Sequence, residues 1–280
     1  MLRVIKASGK IEKFDENKIR RTCERAGVSK QIATKIAREV KKQSYDNITT
    51  KEILKITLKL LRKHLKHAAS RYDLKGALMR LGPAGFQFEK LVAKILTYYG
   101  YKCKTNVIVK GAAIEHEIDI LASKDNKTYH IEAKYHNFPG IFTGIKDVLY
   151  TYARFLDLKE GYRKGISNIK FSQTWLVTNT KFSPDAIKYA NYKNIKLLGW
   201  RYPEKLSLEK MIEEKKLYPV TVLRSVSKNI QYKFSELGIM LCKDIIIMQA
   251  EKKLDMISRQ TGISKKKLTE IVNEADKVLG

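Results

Sequence analysis

The spacing of apolar and polar side chains divides the chain into three stretches. In the first, residues 1–83, Leu2-Arg3-Val4-Ile5-Lys6 and Ile11-Glu12-Lys13-Phe14 flank Ala7-Ser8-Gly9-Lys10. That pattern predicts a β-hairpin on a glycine turn. Helical spacing follows. Asp15 is placed to cap a helix over 16–26 that Gly27 closes, and Ile32, Ile36, Ala37 and Val40 stripe a helix over 29–43. Thr49-Thr50-Lys51-Glu52 reads as a capping box ahead of Ile53, Ile56, Leu60 and Leu61, and a last helix fits 66–81. Gly82-Pro83-Ala84-Gly85 has turn residues and no periodicity, and marks a junction.

Residues 84–202 alternate between the two periods. Phe86, Phe88, Leu91, Val92, Ile95 and Leu96 predict a helix closed by Gly100. Strands are predicted over 101–110, 117–121 and 129–135, the last two joined through Asp125-Asn126. A helix over 141–158 carries Ile145, Val148, Leu149, Tyr152 and Phe155 on one stripe. Residues 159–173 are basic, contain Gly161 and Gly165, and read as a linker. The nearly continuous apolar run at 174–179 predicts a buried strand, Ser183-Pro184-Asp185 the start of a helix, and 195–200 a final strand. The order is αβββαβαβ, an α/β class with a mixed sheet flanked by helices. Residues 203–280 read as all helical. Within them KNIQYKFSELGIMLCKDI and KKLDMISRQTGISKKKLTEI each place a Gly-Ile turn, Gly238-Ile239 and Gly262-Ile263, between two helices.

Composition narrows the function. The chain has 56 basic against 29 acidic residues, a net charge of +27, which points to a polyanion and most simply to nucleic acid. The excess is +14 over residues 1–83, +9 over 84–202 and +4 over 203–280, so every part shares it. No run is long and apolar enough to predict a membrane span or secretory leader, so no membrane association is expected. Cys23, Cys103 and Cys242 are far apart and in no C-x-x-C pair, which suits reduced thiols in a cytoplasmic protein. There is no G-x-x-x-x-G-K-[ST] loop, so nucleotide hydrolysis is not predicted.

Against that basic background, three acids, Glu117, Asp119 and Glu132, are placed to converge within residues 115–136. Alternation along the two strands predicts Glu117 and Asp119 on one face with Ile118 and Ile120 behind, and Glu132 and Lys134 on one face with Ile131 and Ala133 behind. Hydrolysing a phosphodiester needs a hard divalent cation on oxygen donors and a positioned water. Asp119 and Glu132 can hold Mg²⁺ or Mn²⁺, the Ala133 carbonyl can complete the protein ligands, and Lys134 can orient the water. His116 and His136 flank this patch and read as exposed polar positions.

The D-x12-E-x-K spacing resembles the PD-(D/E)xK nuclease superfamily. The run from Gly85-Phe86-Gln87-Phe88-Glu89 through HEIDILA and IEAKYH to WLVTNTKFSPDA resembles its Mrr-type restriction endonuclease branch, over residues 84–202. The resemblance implies a restriction-endonuclease-like core, a Mg²⁺-dependent endodeoxyribonuclease acting on duplex DNA as a homodimer, and a metal role for Glu89 through water. Taken alone, Glu89 is equally a helix surface charge. The hairpin-plus-helices text VIKASGKIEKFDENKI resembles the ATP-cone domain over residues 1–83. This implies an adenine nucleotide, ATP or dATP, as effector, with contacts at Val4, Lys6, Glu12, Lys18 and Thr50. The family usually has Lys-Arg where this chain has Lys6-Ala7, so one bidentate phosphate contact is missing. The two C-terminal turns resemble helix-hairpin-helix motifs, which implies a DNA-binding domain over 203–280 gripping phosphates at Gly238, Gly262, Lys265, Lys266 and Lys267. A Gly-Ile turn is also an ordinary helix connection. The alternative to a cutting enzyme is an ATP-responsive DNA-binding regulator on a nuclease scaffold.

Overall fold

The computed structural model describes residues 2–82 and 85–280. Part of the junction, Pro83-Ala84, lies outside them.

The N-terminal lobe opens with the hairpin of β1 (Arg3–Ile5) and β2 (Ile11–Lys13), as the alternation predicts. The capped helices follow: α1 (Glu16–Arg25) behind Asp15, α2 (Lys30–Lys42) behind Ser29, and α3 (Thr50–His64) behind the Thr49/Glu52 capping box. A short strand that the pattern does not reveal, β3 (Ile48–Thr49), pairs parallel to β1. The helix expected over 66–81 is broken at Asp73 into α4 (Lys66–Tyr72) and α5 (Leu74–Met79). Ile19, Cys23, Ala33, Ile36, Val40, Leu61 and Ala68 give this lobe a core of its own.

The second part has the expected order. Helix α6 (Phe86–Tyr98) precedes β4 (Lys102–Lys110), β5 (Glu115–Lys124) and β6 (Lys127–Lys134). Both site strands run longer than the pattern predicts. Their turn shrinks to Asp125-Asn126, each in the left-handed region at φ 51° and 58°, as a two-residue hairpin demands. After β7 (Phe142–Thr143) comes α7 (Ile145–Arg163), which takes in the first residues of the expected linker. Strand β8 (Phe171–Thr178), the short β9 (Lys181–Phe182), α8 (Pro184–Tyr192) and β10 (Lys196–Leu198) complete it. The sheet order is β10-β8-β6-β5-β4, antiparallel across β4-β5-β6 and parallel across β6-β8-β10. This is the mixed sheet of a restriction-endonuclease-like core. Successive residues of β6 show how it is covered: Ile131 packs in the cluster with Phe88 and Leu91 of α6, while His130 stacks on Phe155 of α7.

One predicted face assignment fails. Ile118 and Ile120 were expected to share a face. Ile118 instead packs with Val109, Phe155 and Leu158, and Ile120 packs with the α6 cluster. Asn106 on β4, opposite Asp119, has φ 55°. A left-handed residue inside a strand turns its side chains over, and the β4–β5 register skips this one pair between Thr105↔Ile120 and Val107↔Ile118.

The third part is helical: α9 (Leu208–Glu214), a 3-10 turn at Val220–Val222, α10 (Lys228–Glu236), α11 (Cys242–Ala250), α12 (Leu254–Thr261) and α13 (Lys265–Leu279). It shares its core with the sheet: Phe234, Leu241, Ile271 and Val278 belong to the same buried cluster as Phe88, Leu91, Ile120 and Trp175.

The N-terminal lobe meets the rest at several places, among them α4, where Arg71 donates to the Lys277 carbonyl at 3.2 Å, and α5, where Ala77 accepts from Thr221 at 2.8 Å. Arg25 of α1 reaches Glu209 at 3.3 Å and Glu213 at 3.6 Å, and Arg201 also grips Glu209. The loop leaving β6 touches the hairpin turn, where a Cβ built on Gly140 would lie 2.6 Å from the Ala7 carbonyl oxygen.

Candidate active site

The sheet opens where the acids sit. The β5–β6 ladder stops at Ile120↔Ile131, so Asp119 and Glu132, next in register, face each other across parting strands. Side-chain contacts replace the missing ladder. The Ala133 N–H donates to Asp119 Oδ2 at 2.8 Å. From α7, Arg154 donates to Glu132 Oε2 at 2.6 Å and also to the main-chain carbonyl of Glu117. Lys134 Nζ lies 3.2 Å from Asp147 Oδ1, and the other oxygen of Asp147 caps α7 by accepting the Gly144 N–H. One helix therefore supplies a counter-charge to both Glu132 and Lys134. Asn106 donates to Glu117 at 2.9 Å.

Burial and crowding disfavour negative charge here. Burial, then the Asp119 carboxylate, push Glu132 up to about 7, with Arg154 pulling the other way. Burial also raises Asp119, opposed first by its bond from Ala133. Glu89 on α6 is pushed up to about 7 by burial and then by Asp119 and Glu117, which puts it beside the same patch. Deep burial holds His130 neutral, down at about 3, with Nδ1 on Thr174 and Nε2 3.8 Å from Glu132.

These residues fit a hard divalent cation. The carboxylates crowd together and resist ionisation, and Asp119 has no cation within ion-pairing distance among the described residues. Oxygen donors of this kind suit Mg²⁺ or Mn²⁺. Among the described residues no three His, Cys, Asp or Glu side chains come close enough to hold a metal by themselves. Two carboxylates with the Ala133 carbonyl, and Glu89 acting through water, are compatible with that.

The raised carboxylates set the sign of a pH effect. Glu132 goes from 4.5 in the unfolded chain to about 7 when folded. It binds its proton more tightly in the folded state, so its contribution to stability is full below pH 4.5 and is lost as pH rises through 7. Metal-free protein should lose roughly 2–3 kcal/mol from this group between pH 5 and 8, by urea denaturation in EDTA. Glu132→Gln should flatten that slope, and an unchanged slope would refute the assignment.

Other predicted positions are placed as follows. In the N-terminal lobe Lys6, Lys18 and Lys10 surround Glu12 at 3.1, 3.6 and 3.9 Å. Lys6, the nearest, does most to lower the Glu12 pKa. Val4 is buried and pairs with Glu12, and Thr50 opens α3 beside β1. In the third part the two glycine turns differ. Both glycines are left-handed, but after Gly238 the Met240 and Leu241 N–H groups are both taken by buried Asp244 at 2.9 Å. The expected phosphate grip at Gly238 is therefore filled by the chain's own carboxylate. After Gly262, Ser264 caps α13, Lys265 pairs with Asp255 and Lys267 with Glu270, while Lys266 is exposed. The histidines are not exposed filler: His116 is buried against Asp157 at 2.7 Å, and His136 reaches Thr143 at 3.1 Å.

Arg154 does not stand out in the strand text. The signal was present: Asp147, Thr151, Arg154 and Leu158 recur at i, i+4, i+7 and i+11, one face of a helix. A guanidinium on the covered face of a helix needs an anion there.

Comparison with known proteins bears on the whole chain. Residues 2–74 match the ATP cone domain, residues 83–200 a restriction endonuclease catalytic domain, and residues 218–279 the AF1548-like C-terminal domain. An uncharacterized protein of Archaeoglobus fulgidus is 45% identical over 190 residues, 68% of this chain and 100% of that protein. A second uncharacterized protein of that organism is 57% identical over 42 residues, 15% of this chain and 89% of its own length. The crystal structure of a protein of unknown function, AF1548, is similar at 43% identity with a TM-score of 0.60, covering 70% of this chain and 99% of that one. The catalytic-domain match points to a nuclease-like hydrolase and the ATP cone to a nucleotide-binding lobe. Among the described residues no helix is long and apolar enough to cross a membrane.

Proposed function

We propose that this chain, which belongs to the Mrr-type restriction endonuclease family with an ATP cone fused ahead of the catalytic domain and an AF1548-like domain behind it, is a metal-dependent DNA endonuclease gated by ATP or dATP. The observation that carries the reading is the meeting of Asp119 and Glu132 where the strands part, with Lys134 two residues on. Bound at this pair, a divalent cation would supply the positive charge that a phosphodiester under attack requires. The chain's own residues do the rest. Asp119 is held rigid by the Ala133 N–H and Glu132 by Arg154. Lys134, half exposed and held by Asp147 at 3.2 Å, can orient a water and meet phosphate charge. Glu89, on α6 beside the same patch, can hold the cation through water. Supercoiled plasmid with Mg²⁺ should give nicked and linear DNA. Intact plasmid with Mg²⁺ and Mn²⁺, with and without nucleotide, would overturn the reading in favour of a non-cutting, ATP-responsive DNA-binding regulator. Two copies, expected to cut the two strands of a duplex, would sediment as a dimer.

Gating draws support from the Gly140–Ala7 contact, which links the loop after the site strand to the turn between Lys6 and Lys10. Cleavage rates should change between zero and millimolar ATP. Flat rates, with binding shown separately, would sink the gating. Lys6→Ala and Lys18→Ala should each weaken ATP binding about tenfold or more by calorimetry, since a charge-assisted contact to phosphate contributes about 1.5–3 kcal/mol.

A further inference from the structure

We infer that Arg154 is a positioning residue for the metal ligand Glu132, an inference that rests on the nuclease reading. Three observations converge on it. The guanidinium is held by two different strands, donating to the Glu132 carboxylate on β6 and to the Glu117 carbonyl on β5. It does so just beyond the last ladder pair, Ile120↔Ile131, where no main-chain bond fixes the gap between those strands. Its side chain is only 11% exposed, so little of it faces solvent, and its Nε is buried without a partner among the described residues. Stacking beside Tyr150, whose ring centre is 5.3 Å from the guanidinium carbon, limits it further.

The consequence is geometric. Arg154 occupies Oε2 of Glu132, so Oε1 is the oxygen left to meet a cation. By tying that carboxylate to the neighbouring strand, it sets both its rotamer and the width of the opening it faces. A hydrogen bond to a ligating carboxylate is worth 10–100-fold in metal affinity or activity in well-studied sites. Against this stands simple repulsion between the guanidinium and a divalent cation. The two effects predict opposite signs, so the direction of the change is diagnostic.

The test uses the full-length protein and Mn²⁺ binding by calorimetry, beside plasmid cleavage. Arg154→Ala should weaken Mn²⁺ by roughly 10–100-fold and lower kcat, with KM for DNA within about threefold. Arg154→Lys offers a single nitrogen where two nitrogens now reach two strands, and should restore part of the affinity. Circular dichroism and thermal melting establish that each variant is folded. Should Arg154→Ala not fold, Arg154→Lys decides: weakened Mn²⁺ binding in a folded protein supports the inference, and wild-type affinity overturns it. Equal or tighter Mn²⁺ binding by Arg154→Ala also overturns it, since the guanidinium would then be a competitor. Wild-type protein that binds no Mn²⁺ sinks the nuclease reading and this inference together. Wild-type binding that Arg154→Ala leaves untouched sinks the inference alone.

Discussion

Asp119→Asn and Lys134→Ala should each lower Mg²⁺-dependent plasmid cleavage by roughly a thousandfold, about 4 kcal/mol of transition-state stabilisation. The two substitutions fail for different reasons. Asn keeps an oxygen to accept the Ala133 N–H, so the bond now measured at 2.8 Å survives while the negative charge is lost. Burial already makes that charge unfavourable. Asp119→Asn should therefore melt at the same temperature or higher in EDTA, and lose most of the stabilisation that Mn²⁺ gives the wild type. Lys134→Ala releases Asp147, which is still used to cap α7. Metal-induced stabilisation should persist there while cleavage is lost. Cleavage within tenfold of wild type for either folded variant would remove that residue from the site.

A chain ending at residue 202 should not fold. The helical third part is no appendage, because Phe234, Leu241, Ile271 and Val278 are buried in one cluster with α6 and the sheet. Each such side chain is worth about 1.5–3 kcal/mol when buried. Losing these four costs about 6–12 kcal/mol, comparable to the whole 5–15 kcal/mol by which a typical domain is stable. Buried bonds go as well: Gln231 donates to the Leu81 carbonyl and to Gln87, and Thr221 donates to the Ala77 carbonyl. The shortened protein should be insoluble, or soluble with dye-binding apolar surface and no cooperative melt. A cooperative melt near that of the full chain would refute this. Residues 2–74, which hold most of their apolar side chains in a separate core, should fold alone and serve as the control.

What could be read from residues alone was whatever local pattern determines. Helix starts were legible because Asp15, Ser183 and the Thr49/Glu52 pair cap by side chains close in sequence. The candidate site acids stand out in the sequence because D-x12-E-x-K survives any error in strand ends. Three things were hidden. Ile118 and Ile120 part company where the β4–β5 register is interrupted opposite the left-handed Asn106, which their own alternation does not reveal. Arg154 is 22 residues beyond Glu132, and nothing in the strand text names it. Asp244 reads as an ordinary helix acid until Met240 and Leu241 are seen pointing at it.

Gly140 and Ala7 meet main chain to main chain, with no side chain between them. Side chains absorb small displacements by changing rotamer, and peptide planes cannot. Movement of the β1–β2 turn must then either push the loop at Gly140 or break the contact outright, with no slack between those outcomes. A methyl group at position 140 would act as a wedge held permanently in that joint, and so would report whether the two lobes ever travel separately.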